Sequence, residues 1–481
     1  MPLESGSDKW IVLAITCIGA LMGPLDSTIV SVSLPTISSS LQMDYATSVW
    51  VPTAYLAALA SLLLTVGRLS DIRGRKPIFI IGFVVFVAGS FLCSVAQDGG
   101  QLVLFRVIQG CGGAFIMATS TAIITSVFPP QERGKALGIN VMFVYIGLSL
   151  GPPLGGFLTG ALGWQSIFWV NVPIGLAVIG LAAWKLKEPR IQAKTKQFDV
   201  AGAVTFAVGL VALLVALTES EDRGWTSPFI IGMLALSMGS FIAFVMIEKR
   251  KGREAMLDLE LITKNRLFAM ANLSTLLNYT AYFGASIILS FYMQRVLGYS
   301  LYLTGMVLLS MPLTMSILSP LSGWASDRVG SRVLASTGMV LIAIGLLLLS
   351  TLDQSATTDI LLIYLLILGV GMGLFSSPNT SAVMGCVRKD QLGVASGTLS
   401  TMRTVGQSLS LAIMGAVIAV VASSATVAAL FSGAPLPPAS EGEFIRGMAL
   451  AFQVAAVIAF VGAATSLARG TGVPCDESPP S

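Results

Sequence analysis

Gly67-Arg68-Leu69-Ser70-Asp71-Ile72-Arg73-Gly74-Arg75-Lys76 closes one long apolar run and opens the next. A second copy, Gly323-Trp324-Ala325-Ser326-Asp327-Arg328-Val329-Gly330-Ser331-Arg332, follows at a constant offset of 256 residues. Glycine, aspartate, glycine and the final base agree, while Ser331 stands where the first copy has Arg75. A fainter echo joins Glu132-Arg133-Gly134-Lys135-Ala136-Leu137-Gly138 to Gln391-Leu392-Gly393-Val394-Ala395-Ser396-Gly397. Repetition over half a chain describes two parallel halves, a plan in which a ligand site lies between the halves at mid-membrane depth.

Working outward from these turns, fourteen apolar stretches follow one another. They lie near 10–35, 46–66, 77–96, 101–128, 136–161, 166–184, 200–218, 227–247, 267–294, 301–325, 333–352, 359–384, 394–422 and 444–467. A helix needs roughly 20 apolar residues to cross the hydrocarbon core. A spanning barrel would show alternating strands of about 10 residues instead. The runs are continuous and twice that length, so the chain reads as an all-α membrane protein. Composition agrees. Of 481 residues 54% are hydrophobic and 11% charged, with a mean hydropathy of +0.84. A soluble domain carries about 25% charged residues. The start, Met1 to Lys9, contains Glu4 and Asp8 and reads as the lead into the first helix rather than as a basic secretory leader.

Charge sorting sets the expected topology. With both termini inside, every Lys and Arg falls in inner loops and tails except Arg223, Arg295 and Arg446 outside and Arg106 and Arg403 within helices. That is the positive-inside bias. The outer loops are acidic, as at Glu219, Glu221, Asp222, Glu441 and Glu443. The basic loops are topology signals and not a nucleic-acid surface. The absence of histidine excludes His metal sites and His relays, and Cys17, Cys93, Cys111, Cys386 and Cys475 show no metal-ligand spacing.

The expected organisation is a six-helix bundle over 1–190, a linker region with two extra helices over 191–262, a second six-helix bundle over 263–470 and a cytoplasmic tail over 471–481. Four motifs then carry a family likeness. They are Leu25-Asp26-Ser27-Thr28-Ile29-Val30-Ser31-Val32-Ser33-Leu34-Pro35, the Gly67–Lys76 turn, Arg106-Val107-Ile108-Gln109-Gly110-Cys111-Gly112-Gly113-Ala114, and Gly147-Leu148-Ser149-Leu150-Gly151-Pro152-Pro153-Leu154-Gly155-Gly156. With Trp164 through Pro173, they resemble the major facilitator superfamily, and more narrowly its fourteen-helix drug:proton antiporters of the EmrB/QacA type. The resemblance implies a major facilitator fold, a monomer in the cytoplasmic membrane and a cargo of hydrophobic, including cationic, drugs. It also implies export, since the helix 5 motif goes with exporters in that family. No nucleotide-binding P-loop is present and no cofactor is expected; the proton gradient supplies the energy.

Asp26 is the one carboxylate well inside a spanning run. An intramembrane charge costs at least about 2.5–3.5 kcal/mol on insertion scales and marks function by default. A carboxylate in a cavity could take a proton from the acidic side, release it inside, and be competed for by a cationic drug; a purely structural pairing is the alternative. Arg106 is the matching base, either paired directly with Asp26 or acting through water. Gly147, Gly151, Gly155 and Gly156 read as a hinge and a seal between the halves, with Pro152 bending the helix. Gly67, Asp71, Gly74, Arg75 and Asp327 read as a conformational latch, with Asp71 capping a neighbouring helix or pairing with an arginine. Polar, aromatic and methionine side chains expected to face the substrate cavity are Trp50, Tyr55, Gln109, Met142, Tyr145, Asn278, Tyr282, Met402, Arg403 and Gln407. Rival readings are a carrier of the same fold for a metabolite, amino acid or lipid, and a membrane sensor or scaffold.

Overall fold

In the computed structural model the described residues are 6–43, 45–186, 199–251, 259–423, 426 and 438–470. The helices of the first part are α1 (Gly6–Ser40), α2 (Tyr45–Arg73), α3 (Arg75–Ser94), α4 (Gly99–Val127), α5 (Pro130–Leu162), the short α6 (Ser166–Trp169) and α7 (Asn171–Lys185). Then come α8 (Val200–Arg223) and α9 (Pro228–Lys251), and the single turn α10 (Leu259–Thr263). The last part holds α11 (Arg266–Phe291), α12 (Leu301–Val329), α13 (Ser331–Leu349), α14 (Thr358–Gly385), α15 (Leu392–Val421) and α16 (Pro438–Ala468). The expected 471–481 tail lies outside the described residues.

Eleven helices among the described residues are long and apolar enough to cross a membrane. The other long ones are α8, α11 and α15, with 24, 26 and 30 residues. Their hydropathy is diluted for visible reasons. The last turns of α8 contain Glu219 and Arg223. The inner faces of α11 and α15 carry Asn272, Thr275, Asn278, Thr398, Thr401 and Arg403. Such residues avoid lipid by facing protein.

In the first part α1 lies along α5, and α4 lies along both α2 and α3. Small residues set the α3–α4 distance, since a Cβ at Gly112 would fall 2.3 Å from the Phe86 nitrogen. Phe79, Phe83 and Phe86 fill the core beside them. In the last part α13 packs on α14 and α16, α11 on α15 and α16, and α12 on α14. The two parts touch along α5–α12 and α2–α15. The α8–α9 hairpin leans on α2 and α15, with Phe206 against Phe241 and Phe244.

The two repeats build equivalent turns. Gly74 separates α2 from α3 at φ 99°, ψ 149°, and Gly330 separates α12 from α13 at φ 91°, ψ 147°. An L side chain is strained there, so glycine is required at both.

Candidate functional site

Asp26 lies on α1 with 1% of its surface exposed, and Arg106 on α4 is fully buried. They pair directly, Arg106 Nη1 donating to Asp26 Oδ2 at 2.5 Å. Asp26 Oδ1 accepts from Gln109 Nε2 at 2.8 Å and from Asn171 Nδ2 at 2.9 Å. Ser90 accepts from the same two amides at 2.6 and 3.0 Å. Arg106 also donates to Gln109 Oε1 at 2.7 Å and to the Val51 carbonyl at 3.3 Å. Its guanidinium lies 4.3 Å from the centre of the Tyr55 ring. Five helices of the first part, α1, α2, α3, α4 and α7, therefore meet at one buried ion pair.

This arrangement corrects the cavity reading of Asp26, Gln109 and Tyr55. All three point into the first bundle, where the i+3 step along α4 puts Gln109 beside Arg106. Ser90 and Asn171 were missed. Asn171 lies in the Trp164–Pro173 stretch that carries part of the family likeness; Ser90 had no signal in a run of otherwise apolar residues.

A second assembly joins the two parts at the end of the bundle where the repeat turns lie. Asp71 Oδ1 and Oδ2 accept from the Gly393 and Val394 main-chain N–H groups at 2.9 and 3.0 Å, capping the start of α15. Asp327 Oδ1 and Oδ2 accept from Gly134 and Lys135 N–H at 3.0 and 3.2 Å, capping the start of α5. Each repeat copy thus grips the other half's echo motif. Gly393 and Val394 belong to the first turn of α15, whose free amides suit a carboxylate, while Gly134 and Lys135 lie in the second turn of α5, still at its positive dipole end. Glycine makes the approach possible: a Cβ at Gly67 would lie 2.3 Å from the Gly393 carbonyl oxygen, and one at Gly323 2.2 Å from that of Gly134. Arg75 supports Asp71 at 3.2 Å with both buried; Ser331 gives Asp327 no such partner. The last part holds its own buried base, Arg469, which donates to Asn379 at 2.9 Å and to the Ser331 carbonyl.

Other expected residues fall elsewhere. The helix 5 glycines do not seal one half against the other. Gly147, Gly151 and Gly155 face α1, with Leu21, Thr28 and Ile29 as their nearest neighbours, and Gly156 meets nothing within 4 Å. Pro152 lies within α5, its side chain outside those described. Trp50 does not line a cavity between the halves: its indole N–H donates to Glu219 of α8 at 3.1 Å. Asn278 is buried in the last bundle and donates to the Met339 sulfur at 3.0 Å. Tyr145 of α5 and Tyr279 and Tyr282 of α11 share one cluster across the α5–α11 boundary. Met142 and Gln407 are half-buried on α5 and α15.

Two cavities accompany these helices. The larger, about 360 Å³, lies where α8 and α9 meet α2, α11 and α15, and is lined by Phe206, Phe241, Phe244, Phe268 and Met402 among others. The smaller, about 30 Å³, lies between the two parts, with Ser120, Thr121, Asn140, Thr380, Ser400 and Arg403 on its walls. Of the expected cavity residues, Arg403 lines the smaller cavity and Met402 the larger.

A helical bundle of two repeated parts, latched crosswise and carrying a buried intramembrane ion pair, is the architecture of a membrane carrier. The chain belongs to the Major Facilitator Superfamily, whose family profile matches residues 16–411 and 271–471. It is a transporter and not an enzyme. It is 32% identical to the riboflavin transporter RibZ of Clostridioides difficile (strain 630), over 83% of this chain and 86% of that one. It is 29% identical to the tetracenomycin C resistance and export protein of Streptomyces glaucescens, over 98% of this chain and 93% of that one. Among solved structures, the human organic anion transporter MFSD10 superposes with a TM-score of 0.67, covering 95% of this chain and 99% of that one at 15% identity, a likeness of fold alone.

Proposed function

We propose that the protein is a proton-coupled antiporter that exports hydrophobic compounds across the cytoplasmic membrane by alternating access. The observation that carries this reading is the buried Asp26–Arg106 pair, held by Gln109 and Asn171. Removing one charge of such a pair strands the other in a medium that penalises it. Protonation of Asp26 does this reversibly. The neutral acid releases Arg106, which keeps the Gln109 and Val51 oxygens and the Tyr55 ring.

The structure offers a route from that event to the latch. Thr28, two residues from Asp26, is the nearest neighbour of Gly151 on α5, and Leu21 that of Gly147. In this reading a shift of α1 passes to α5 through the Leu21 carbonyl against Gly147 and the Thr28 side chain against Gly151. The other end of α5 is the one that Asp327 caps. In this reading the helix 5 glycines couple the proton site to the latch. Further parts of the proposal are that all fourteen long helical runs span the bilayer, in a six-plus-two-plus-six order with both termini cytoplasmic. The repeat turns then lie on the cytoplasmic side, and the latched state faces outward. The energy source is the proton gradient and the unit is the monomer.

The test uses everted vesicles with an imposed pH gradient. Wild type should accumulate a hydrophobic dye, and Asp26→Asn should lose gradient-driven uptake while remaining in the membrane. Undiminished proton-coupled transport by Asp26→Asn would end the assignment. A narrower reading, a carrier of one metabolite, is supported by the similarity to a riboflavin transporter. Uptake of one compound with rejection of a broad dye panel would select it.

A further inference from the structure

Arg106 and Arg403 are both intramembrane arginines, yet only one has its charge answered. Among the described residues Arg403 makes no hydrogen bond and no ion pair; its recorded partner is the Tyr279 ring, 5.2 Å from the guanidinium carbon. Its Nε is buried and unmatched. A guanidinium stays charged at any physiological pH and offers five N–H donors in a flat fork. Leaving such a group unpaired at membrane depth is costly, and such groups mark ligand paths.

The surroundings say which ligand. The small compartment beside Arg403 lies between the two halves, just beyond the Asp327–Gly134 latch. Among the described residues no carboxylate lines it. Ser120 and Thr380 donate their hydroxyl protons to the Ile116 and Ser376 carbonyls at 2.8 Å each; Thr121, Asn140 and Ser400 are the other polar residues on the wall, and Arg403 is the charged donor among them. Asp26 cannot neutralise it, being held by Arg106 inside the first bundle. A volume of about 30 Å³ matches a group the size of one water, which suits the acidic end of a molecule and not its body. Behind Arg403, through the Tyr279 ring, lies a buried aromatic cluster in which Tyr279 and Tyr282 pack edge to face at 5.7 Å, with Tyr145 of α5 in the same cluster.

We propose that Arg403 is the docking point for an acidic group, a carboxylate or phenolate, on an aromatic substrate carried between the halves. This rests on the export reading and gives its substrate a charge: anionic rather than cationic. The fork of Arg403 takes the acid through charge-assisted hydrogen bonds, and the tyrosines hold the ring system.

The test is dye binding to purified protein in detergent, read by fluorescence anisotropy without any pH gradient. Two xanthene dyes share a ring system and differ in charge: carboxyfluorescein, an anion, and rhodamine 6G, a cation. Wild type should prefer carboxyfluorescein, and Arg403→Gln should weaken that dye about tenfold or more while leaving rhodamine 6G within about twofold. Arg403→Lys, which keeps charge and loses the fork, should recover part of the loss. Thermal stability of each variant guards against misfolding, and Arg403→Lys keeps the question open to test if Arg403→Gln fails to fold. Equal affinity for both dyes in wild type, or unchanged carboxyfluorescein binding in Arg403→Gln, overturns the proposal. Rescue by added vesicles of anionic lipid in place of the dye would assign the site to a lipid headgroup and overturn it equally. Failure of the export reading shows separately, as undiminished transport by Asp26→Asn with dye binding intact.

Discussion

The two intramembrane arginines solve opposite problems. Arg106 is fully buried, bound to a carboxylate, an amide oxygen and a carbonyl, and covered by a tyrosine ring. Arg403 is half-buried, faces the space between the halves and has only a ring beside it. A charge satisfied by its own protein is a structural commitment, and one left unsatisfied is an offer to something that comes and goes. In the proposed mechanism the first bundle holds the charge that a proton switches, and the second holds the charge that receives the ligand.

The sharpest way to break this comparison is to remove each arginine in turn. Arg106→Gln strands Asp26 and should cost about 3–5 kcal/mol, seen as a large drop in melting temperature in detergent. Arg403→Gln should leave that temperature unchanged or raise it. Equal losses would erase the distinction. The double variant Asp26→Asn with Arg106→Gln removes both charges and should recover much of the loss, with no return of proton-coupled transport.

The latch gives effects of intermediate size. Gly134→Val puts a side chain where even a Cβ would fall 2.3 Å from Asp327 Oδ1. The closed arrangement should become inaccessible, and a cysteine introduced at Ser377, which donates to the Gly134 carbonyl, should label faster with a maleimide. Asp71→Asn and Asp327→Asn each weaken two charge-assisted bonds, worth about 1.5–3 kcal/mol apiece at most. Asp71→Asn should cost more, because it also removes the buried Arg75 ion pair. The smallest effect is expected at Gly156→Ala, where a Cβ meets open space. Stability and transport should both stay within about 0.5 kcal/mol of wild type. A strong loss there would restore the reading of that glycine as part of a seal.

Much of this was legible in the sequence. The glycine–aspartate–glycine repeat and its echo predicted equivalent turns, and both turns occur with matching backbone angles. Asp26 and Arg106 stood out because charge is rare in apolar runs, and they do meet. What remained hidden follows from the solvent. A helix in lipid is apolar on the face toward lipid and on the face toward its neighbours, so periodicity could not say that Gly147 looks at α1 and not across the halves. Trp50 looked like a cavity aromatic, and only the fold brings Glu219 of α8 to its indole. Ser90 carried no mark at all, since a lone serine in an apolar helix is read as filler until its partners are known.

The receiving side of the latch consists of main-chain amides at Gly393, Val394, Gly134 and Lys135. No point mutation can delete an amide other than by proline. What the receiving side demands of the sequence is thus space and not side-chain chemistry: a Cβ would fall 2.3 Å from Asp327 Oδ1 at Gly134 and 2.2 Å from the Gly67 carbonyl oxygen at Gly393. Glycine has no rotamers to freeze, so the side-chain ordering in this contact falls on Asp71 and Asp327. In the proposed alternating-access cycle, the two states of such a lock differ little in side-chain disorder.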